Sequence, residues 1–146
     1  MFWLTLLLGC GTGTPAVERV TGTPDWAGTK RELYDTTELR THDLVVGKGP
    51  TATGGDRVSV HYTGWLVNGT EFDSSRDRGP FSATLGRNQV IPGWDTGVRG
   101  MAVGGKRGLV IPSRLAYGER GMPPIIPPDS VLVFEIELVD LKQAAD

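Results

Sequence analysis

The side chains able to do chemistry gather between Val60 and Phe134, and most of them are aromatic. His61, Tyr62, Phe72, Asp73, Arg78 and Phe81 lie between residues 61 and 81. Trp94 follows Val90-Ile91-Pro92-Gly93, Tyr117 sits in Ala116-Tyr117-Gly118, and Ile125-Ile126-Pro127-Pro128 leads toward Phe134. His61, Asp73 and Ser74 have the residue types of a hydrolytic triad. Their order, the strand alternation that sends His61 away from Tyr62, and the lack of a nucleophile elbow exclude that reading. The run Gly97-Val98-Arg99-Gly100 with Gly104-Gly105 lacks the Gly-Lys-Ser/Thr ending of a phosphate loop, which excludes nucleotide binding. What remains is an apolar, aromatic-walled cleft with few polar groups, suited to a neutral, greasy ligand. A proline ring and its tertiary amide have that character, and holding them requires neither metal nor cofactor.

Such residues need a scaffold, and the pattern supplies one. Val58, Val60 and Tyr62 alternate with Ser59, His61 and Thr63, which is strand periodicity with one buried face. Asn68-Gly69 predicts a type I′ hairpin, with residues 70–75 returning antiparallel. Asn68-Gly69-Thr70 also fits a glycosylation sequon, but the turn accounts for all three residues. Leu132, Phe134, Ile136 and Leu138 share one strand face, and Glu135 and Glu137 the other. Further strands are predicted over residues 106–111, 40–46 and, more briefly, 81–85. The one good helix candidate begins beyond Pro92, with Trp94, Val98 and Met101 at helical spacing. Gly97 and Gly100 weaken it, so packing against the sheet must hold it in place. A single short helix clasped by a curved antiparallel sheet is an α+β architecture. The 21 glycines and 10 prolines, without a repeat period, fit a fold rich in turns.

A chain of 146 residues with 38% hydrophobic and 22% charged content suits one globular domain with some tail. Net charge is −2 and the basic residues are scattered, which disfavours nucleic acid and anionic membrane surfaces as partners. The apolar run over residues 2–8 is too short to cross the ~30 Å hydrocarbon core as a helix. It can serve as the apolar part of a secretory signal, although no Lys or Arg precedes it. Leu7-Leu8-Gly9-Cys10 resembles a bacterial lipoprotein signal, in which Cys10 becomes the lipidated first residue. The plainer alternative is an unprocessed apolar leader with a chance cysteine. Cys10 is the only cysteine, so disulfides and cysteine metal sites are out of the question. Gly11-Thr12-Gly13-Thr14-Pro15 would suit a tether, and acyl chains on Cys10 would anchor the protein without spanning a membrane. The expected layout is a leader over 1–10, a flexible linker over 11–36, a folded domain over 37–142 and a tail over 143–146. The expected location is exported, in the periplasm or cell envelope.

Taken in order, Val-His-Tyr-Thr-Gly (60–64), Phe-Asp-Ser-Ser-Arg (72–76), Leu-Gly (85–86), Val-Ile-Pro-Gly-Trp (90–94), Ala-Tyr-Gly (116–118) and Ile-Ile-Pro-Pro (125–128) resemble the FKBP-type peptidyl-prolyl cis-trans isomerases. That family also binds rapamycin and tacrolimus. The resemblance spans roughly residues 40 to 142 and implies a five- or six-stranded antiparallel sheet wrapped around one short helix. It implies a pocket of Tyr62, Phe72, Asp73, Arg78, Phe81, Val90, Ile91, Trp94, Tyr117, Ile125, Ile126 and Phe134. Trp94 would be the floor, with Tyr62, Phe72, Phe81 and Phe134 as walls. The Ile91 backbone N–H and the Tyr117 hydroxyl would donate to substrate carbonyls. Tyr62, Asp73, Trp94, Tyr117 and Phe134 are the expected catalytic set, with Asp73 orienting rather than acting as a base. Met122 and Gln89 depart from the histidine and acidic residue common in the family, and one residue is missing between Arg78 and Phe81. The chain also lacks the His-rich tail and inserted domain of the metal-linked chaperone branch.

The implied activity is acceleration of rotation about Xaa-Pro bonds in folding proteins, with proline-containing peptides as substrates and rapamycin- or tacrolimus-like macrolides as inhibitors. The competing reading is a tethered chaperone or adaptor that grips proline-containing segments without useful turnover.

Overall fold

The alternation around Tyr62 becomes a ten-residue strand, β2 (Arg57–Leu66), with Val58, Val60, Tyr62 and Gly64 buried in turn. It is the spine of the computed structural model, which describes residues 22–144. Around it, in chain order, are α1 (Lys30–Tyr34), β1 (Arg40–Val45), β3 (Glu71–Ser74), β4 (Phe81–Thr84), α2 (Pro92–Gly97), β5 (Lys106–Ile111) and β6 (Leu132–Lys142). The six strands form one antiparallel sheet in the order β1-β5-β6-β2-β3. β4 joins the same edge of β2 lower down, pairing Arg57 through Val60, while β3 pairs Thr63 through Trp65. The predicted α+β architecture is the one observed.

Pro92 opens α2, where a missing N–H leaves no donor unsatisfied. Gly97 lets the helix lie against the sheet, since a Cβ there would sit 2.8 Å from both Leu109 methyls. Arg107 of β5 closes the far end: Nη1 donates to the carbonyls of Gly97 (2.8 Å) and Arg99 (3.0 Å). Its Nε is held by Asp43 of β1 at 2.6 Å. A six-residue helix is not stable alone, so these tertiary contacts are what maintain it. Expected to run through Met101, the helix instead stops at Gly97. Val98 is its cap, and both Val98 and Met101 remain in the core beneath it.

Two further expectations are corrected. Asn68-Gly69 does not form a type I′ turn, which needs positive φ at both central residues. Only Gly69 is there, at φ 92°. The Leu66 carbonyl accepts from Gly69 N, and Leu66 N donates to the Thr70 carbonyl, enclosing a three-residue loop with Gly69 at the left-handed position. Asn68 contributes differently, its Oδ1 accepting from Thr70 N at 2.9 Å.

The second correction concerns the linker over 11–36. From residue 22 on, this segment is built into the domain; residues 11–21 lie outside the described residues. A 3-10 turn (Asp25–Ala27) leads to α1, whose Thr29 and Glu32 form a capping box. Ala27 and Leu33 are wholly buried against Val110, Val131 and Val133, with Trp26, Trp65 and Val67 around them. These valines point away from α2, so this outer face would otherwise be bare. Trp26 lies over Gly108, where any Cβ would intrude on its ring. Its Nε1 donates to Glu135 Oε1 at 2.7 Å, and its ring stacks on His42. At the other terminus Ala144 N donates to Asp56 Oδ1 at 2.8 Å, tying the chain end to the loop before β2.

Candidate functional site

The inner face of the sheet carries an aromatic cluster centred on Trp94. Its ring centroid is 5.1 Å from Tyr62, 5.3 Å from Phe134 and 6.0 Å from Phe81, all edge to face. Phe72 meets Phe134 the same way at 5.5 Å. Edge-to-face packing suits the ring quadrupoles and leaves gaps that stacking would close. The gap is a cleft of about 150 Å³ lined by Tyr62, Phe72, Asp73, Phe81, Gln89, Val90, Ile91, Trp94, Tyr117, Met122 and Phe134. The Trp94 indole N–H is buried among these rings with no hydrogen-bond partner among the described residues. The floor of the cleft is thus an aromatic ring that carries one buried donor left unpaired by the described residues.

Phe72 and Asp73 are sequence neighbours, yet both line the cleft. Regular alternation would send them to opposite faces. The register explains this: Gly64 pairs with Asp73 and Trp65 with Glu71, leaving Phe72 as an extra residue in a β-bulge. Such a bulge re-aims side chains. Opposite it, Gly64 supplies the room, because a Cβ there would lie 2.6 Å from the Phe72 ring and 2.7 Å from that of Phe134.

One polar cluster interrupts the apolar wall. The Tyr62 hydroxyl donates to Asp73 Oδ2 at 2.5 Å. Arg78 Nη2 donates to Asp73 Oδ1 at 2.7 Å and to the Tyr62 oxygen at 3.1 Å. Burial, then the bond to Asp73 and its charge, push the Tyr62 ionisation up to about 12. Burial, then the charge of Asp73, push Tyr117 up as well. Asp73 holds Arg78 firmly protonated. Both phenols are therefore neutral donors at physiological pH, and both Asp73 carboxylate oxygens accept hydrogen bonds.

The structure brings together nine of the twelve residues expected in the pocket. Arg78 is exposed and outside the lining, where it hydrogen-bonds Tyr62 and Asp73. Ile125 is half exposed outside the lining, and Ile126 is wholly buried. Ile126 supports the loop from within, exchanging both backbone hydrogen bonds with Met122 at 2.8 Å. Gln89 and Met122, noted only as departures from the family pattern, take places in the lining itself. Gln89 is fixed there by its Oε1 accepting from Thr84 N at 2.8 Å. The lipidation candidate Cys10 lies outside the described residues.

Comparison with known proteins gives the same picture. The FK506-binding protein of Neisseria meningitidis serogroup A is 56% identical over 98 residues, covering 66% of this chain and 90% of its own. Peptidyl-prolyl cis-trans isomerase FPR2 of Saccharomyces cerevisiae is 62% identical over 96 residues, 64% of this chain and 71% of its own. The crystal structure of AtFKBP13 superposes with a TM-score of 0.67 at 44% identity, covering 72% of this chain and 93% of that one. FkpA from Escherichia coli gives a TM-score of 0.68 at 40% identity, covering 80% and 57%. Residues 49–139 match the domain family described as FKBP-type peptidyl-prolyl cis-trans isomerase, and with its ring of aromatic edges around a buried tryptophan this chain belongs to that family.

Proposed function

We propose that the cleft over Trp94 holds the prolyl ring of an exported, folding polypeptide while the preceding peptide bond rotates. Resonance in that bond sets a barrier of roughly 18–20 kcal/mol, so uncatalysed exchange takes roughly tens to hundreds of seconds. Rotation breaks no covalent bond and calls for no nucleophile. In the twisted amide the nitrogen lone pair is decoupled and charge separation falls, so an apolar cavity disfavours the planar ground state more than the twisted one. Tighter binding of the twisted form lowers the barrier, each 1.36 kcal/mol being worth about tenfold in rate.

In this reading Trp94 is the floor, and Tyr62, Phe72, Phe81 and Phe134 are walls. The Ile91 N–H and the neutral Tyr117 hydroxyl hold the substrate's carbonyls. Tyr62 and Asp73, braced by Arg78, form the single polar edge against which the rotating carbonyl is oriented. The observation that carries the reading is the set of rings placed edge-on to Trp94, which leaves a small cleft with an aromatic base. Macrolides of the rapamycin and tacrolimus type would compete for the same cleft. The Leu-Leu-Gly-Cys stretch supports a lipid-anchored, envelope location.

A protease-coupled assay on Xaa-Pro peptides tests the central reading. Turnover that rapamycin blocks is the expected result; peptide binding without rate enhancement would make the protein a grip rather than an isomerase of free chains. Mass spectrometry of membrane fractions tests the anchor, where an unmodified Cys10 thiol would end that part of the proposal.

A further inference from the structure

The polar edge of the cleft depends on Arg78 reaching Tyr62 and Asp73 from an exposed loop, and something must fix that loop. Ser75 is placed to do so. It is almost wholly buried (1% exposed), although serine is usually a surface residue. Its N–H donates to the Tyr62 carbonyl at 2.9 Å, and its Oγ accepts the Tyr62 N–H at 2.8 Å. Its carbonyl accepts from Arg78 N (2.9 Å) and Gly79 N (3.0 Å), closing the turn that carries the Arg78 side chain back to the cleft. A third group, His61 Nδ1, lies 3.0 Å from the same Oγ.

We infer that Ser75 is a positioning residue for the reaction, one that sets the spacing of Tyr62 and Arg78 and links it to the state of His61 on the outer face. The inference rests on the reading of Tyr62, Asp73 and Arg78 as the polar edge of the substrate site. The hydrogen-bond inventory gives the link its direction. A serine hydroxyl has one proton to donate and two lone pairs to accept with. With Tyr62 N–H on one lone pair, the Ser75 proton goes to His61 Nδ1 in the neutral tautomer that carries its proton on Nε2, whereas the tautomer protonated at Nδ1 donates to Ser75 Oγ. A protonated imidazole offers a second N–H to the same oxygen, and the Ser75 proton must then leave that line. The groups facing His61 are Glu137 of β6, paired directly across from it, and Arg76 and Lys106, both in ion pairs with Glu137.

The first test uses the unaltered protein. Its imidazole, backbone amide and guanidinium resonances are followed by NMR from pH 8 to pH 5. The expected result is that the Tyr62 amide and the Arg78 side chain shift with the same midpoint as the His61 ring. A titrating His61 that leaves both unmoved would overturn the link to the imidazole. The second test compares S75A with S74A by kcat and KM for the same Xaa-Pro peptide. Ser74 is the neighbouring control, outside the cleft lining, whose Oγ lies 3.2 Å from the Thr63 hydroxyl and accepts from Arg76 N at 3.2 Å without touching Tyr62 or Arg78. S75A leaves a buried donor unpaired and should lower kcat about tenfold with little change in KM, while S74A stays near the unaltered value. S75T, which restores the hydroxyl, should recover part of the loss. A folded S75A with full kcat would overturn the positioning role. Should S75A not fold, H61A decides, because loss of the pH-linked shifts at Tyr62 and Arg78 supports the node and their persistence refutes it. Turnover by the unaltered protein separates failure of this inference from failure of the isomerase reading.

Discussion

The two faces of this sheet are both covered by tryptophan, with opposite results. On the inner face Trp94 rides on a short helix pinned at its far end by Arg107, and its surrounding rings meet it edge-on, so a cleft stays open. On the outer face Trp26 lies flat over Gly108, and Ala27 and Leu33 close the seam to zero exposure. The indole N–H groups differ in the same sense. That of Trp26 is satisfied by Glu135, whereas that of Trp94 has no partner among the described residues. An apolar face becomes a site only where its cover is held off it. Where the cover lies down, the same chemistry yields stability alone.

That contrast can be broken most forcefully at Trp94. Trp94→Ala should cut turnover on an Xaa-Pro peptide about 100-fold, the loss of roughly 3 kcal/mol of preferential binding to the twisted amide. A variant retaining full turnover would remove the floor from the mechanism. Trp26→Ala should do the reverse, lowering unfolding free energy by about 3 kcal/mol in urea titrations while kcat/KM per folded molecule is unchanged. Gly108→Ala should displace the same ring at a cost of about 2 kcal/mol. Combined with Trp26→Ala it should add almost nothing, since both changes remove one contact. Tyr62→Phe sharpens the comparison from inside the cleft. It should reduce turnover about fivefold with a stability change of about 1 kcal/mol, because only a hydroxyl is lost.

The smallest effect is expected in alkali. With its ionisation pushed up to about 12, Tyr62 keeps its proton more tightly in the folded than in the unfolded chain. Its contribution to stability is complete below about pH 10 and is lost as pH climbs toward about 12. Ultraviolet titration should show this phenol still protonated at about pH 11, where an unperturbed tyrosine is mostly ionised.

Much of the inner face was legible in the sequence because burial there follows simple periods. Tyr62 and Phe134 fall on alternating strand positions, and Trp94 follows a proline suited to a helix start. Phe72 and Asp73 were harder. Alternation separates them, and only the bulge, a property of pairing between strands, reunites them; their joint place in the pocket came from resemblance. Ile126, expected to touch substrate, is instead wholly buried in the core cluster and outside the cleft lining, since a loop residue near a site can face the core behind it. The outer cover was missed for a different reason. Five helical residues carry too little periodicity to register against a background of Gly, Thr and Pro. Two signals were nonetheless present. Thr29 and Glu32 have capping-box spacing, and the unbroken runs Leu109-Val110-Ile111 and Val131-Leu132-Val133-Phe134 mark strands buried on both faces.

Gly64 carries one further implication. Two phenyl rings meet over a position that has no side chain, so the shape of the cleft is written partly by an atom that is missing. A single methyl at that point, on the strand beneath the rings, would force at least one of them to shift. The dimensions of this cavity can therefore be altered from below, by a residue no substrate touches.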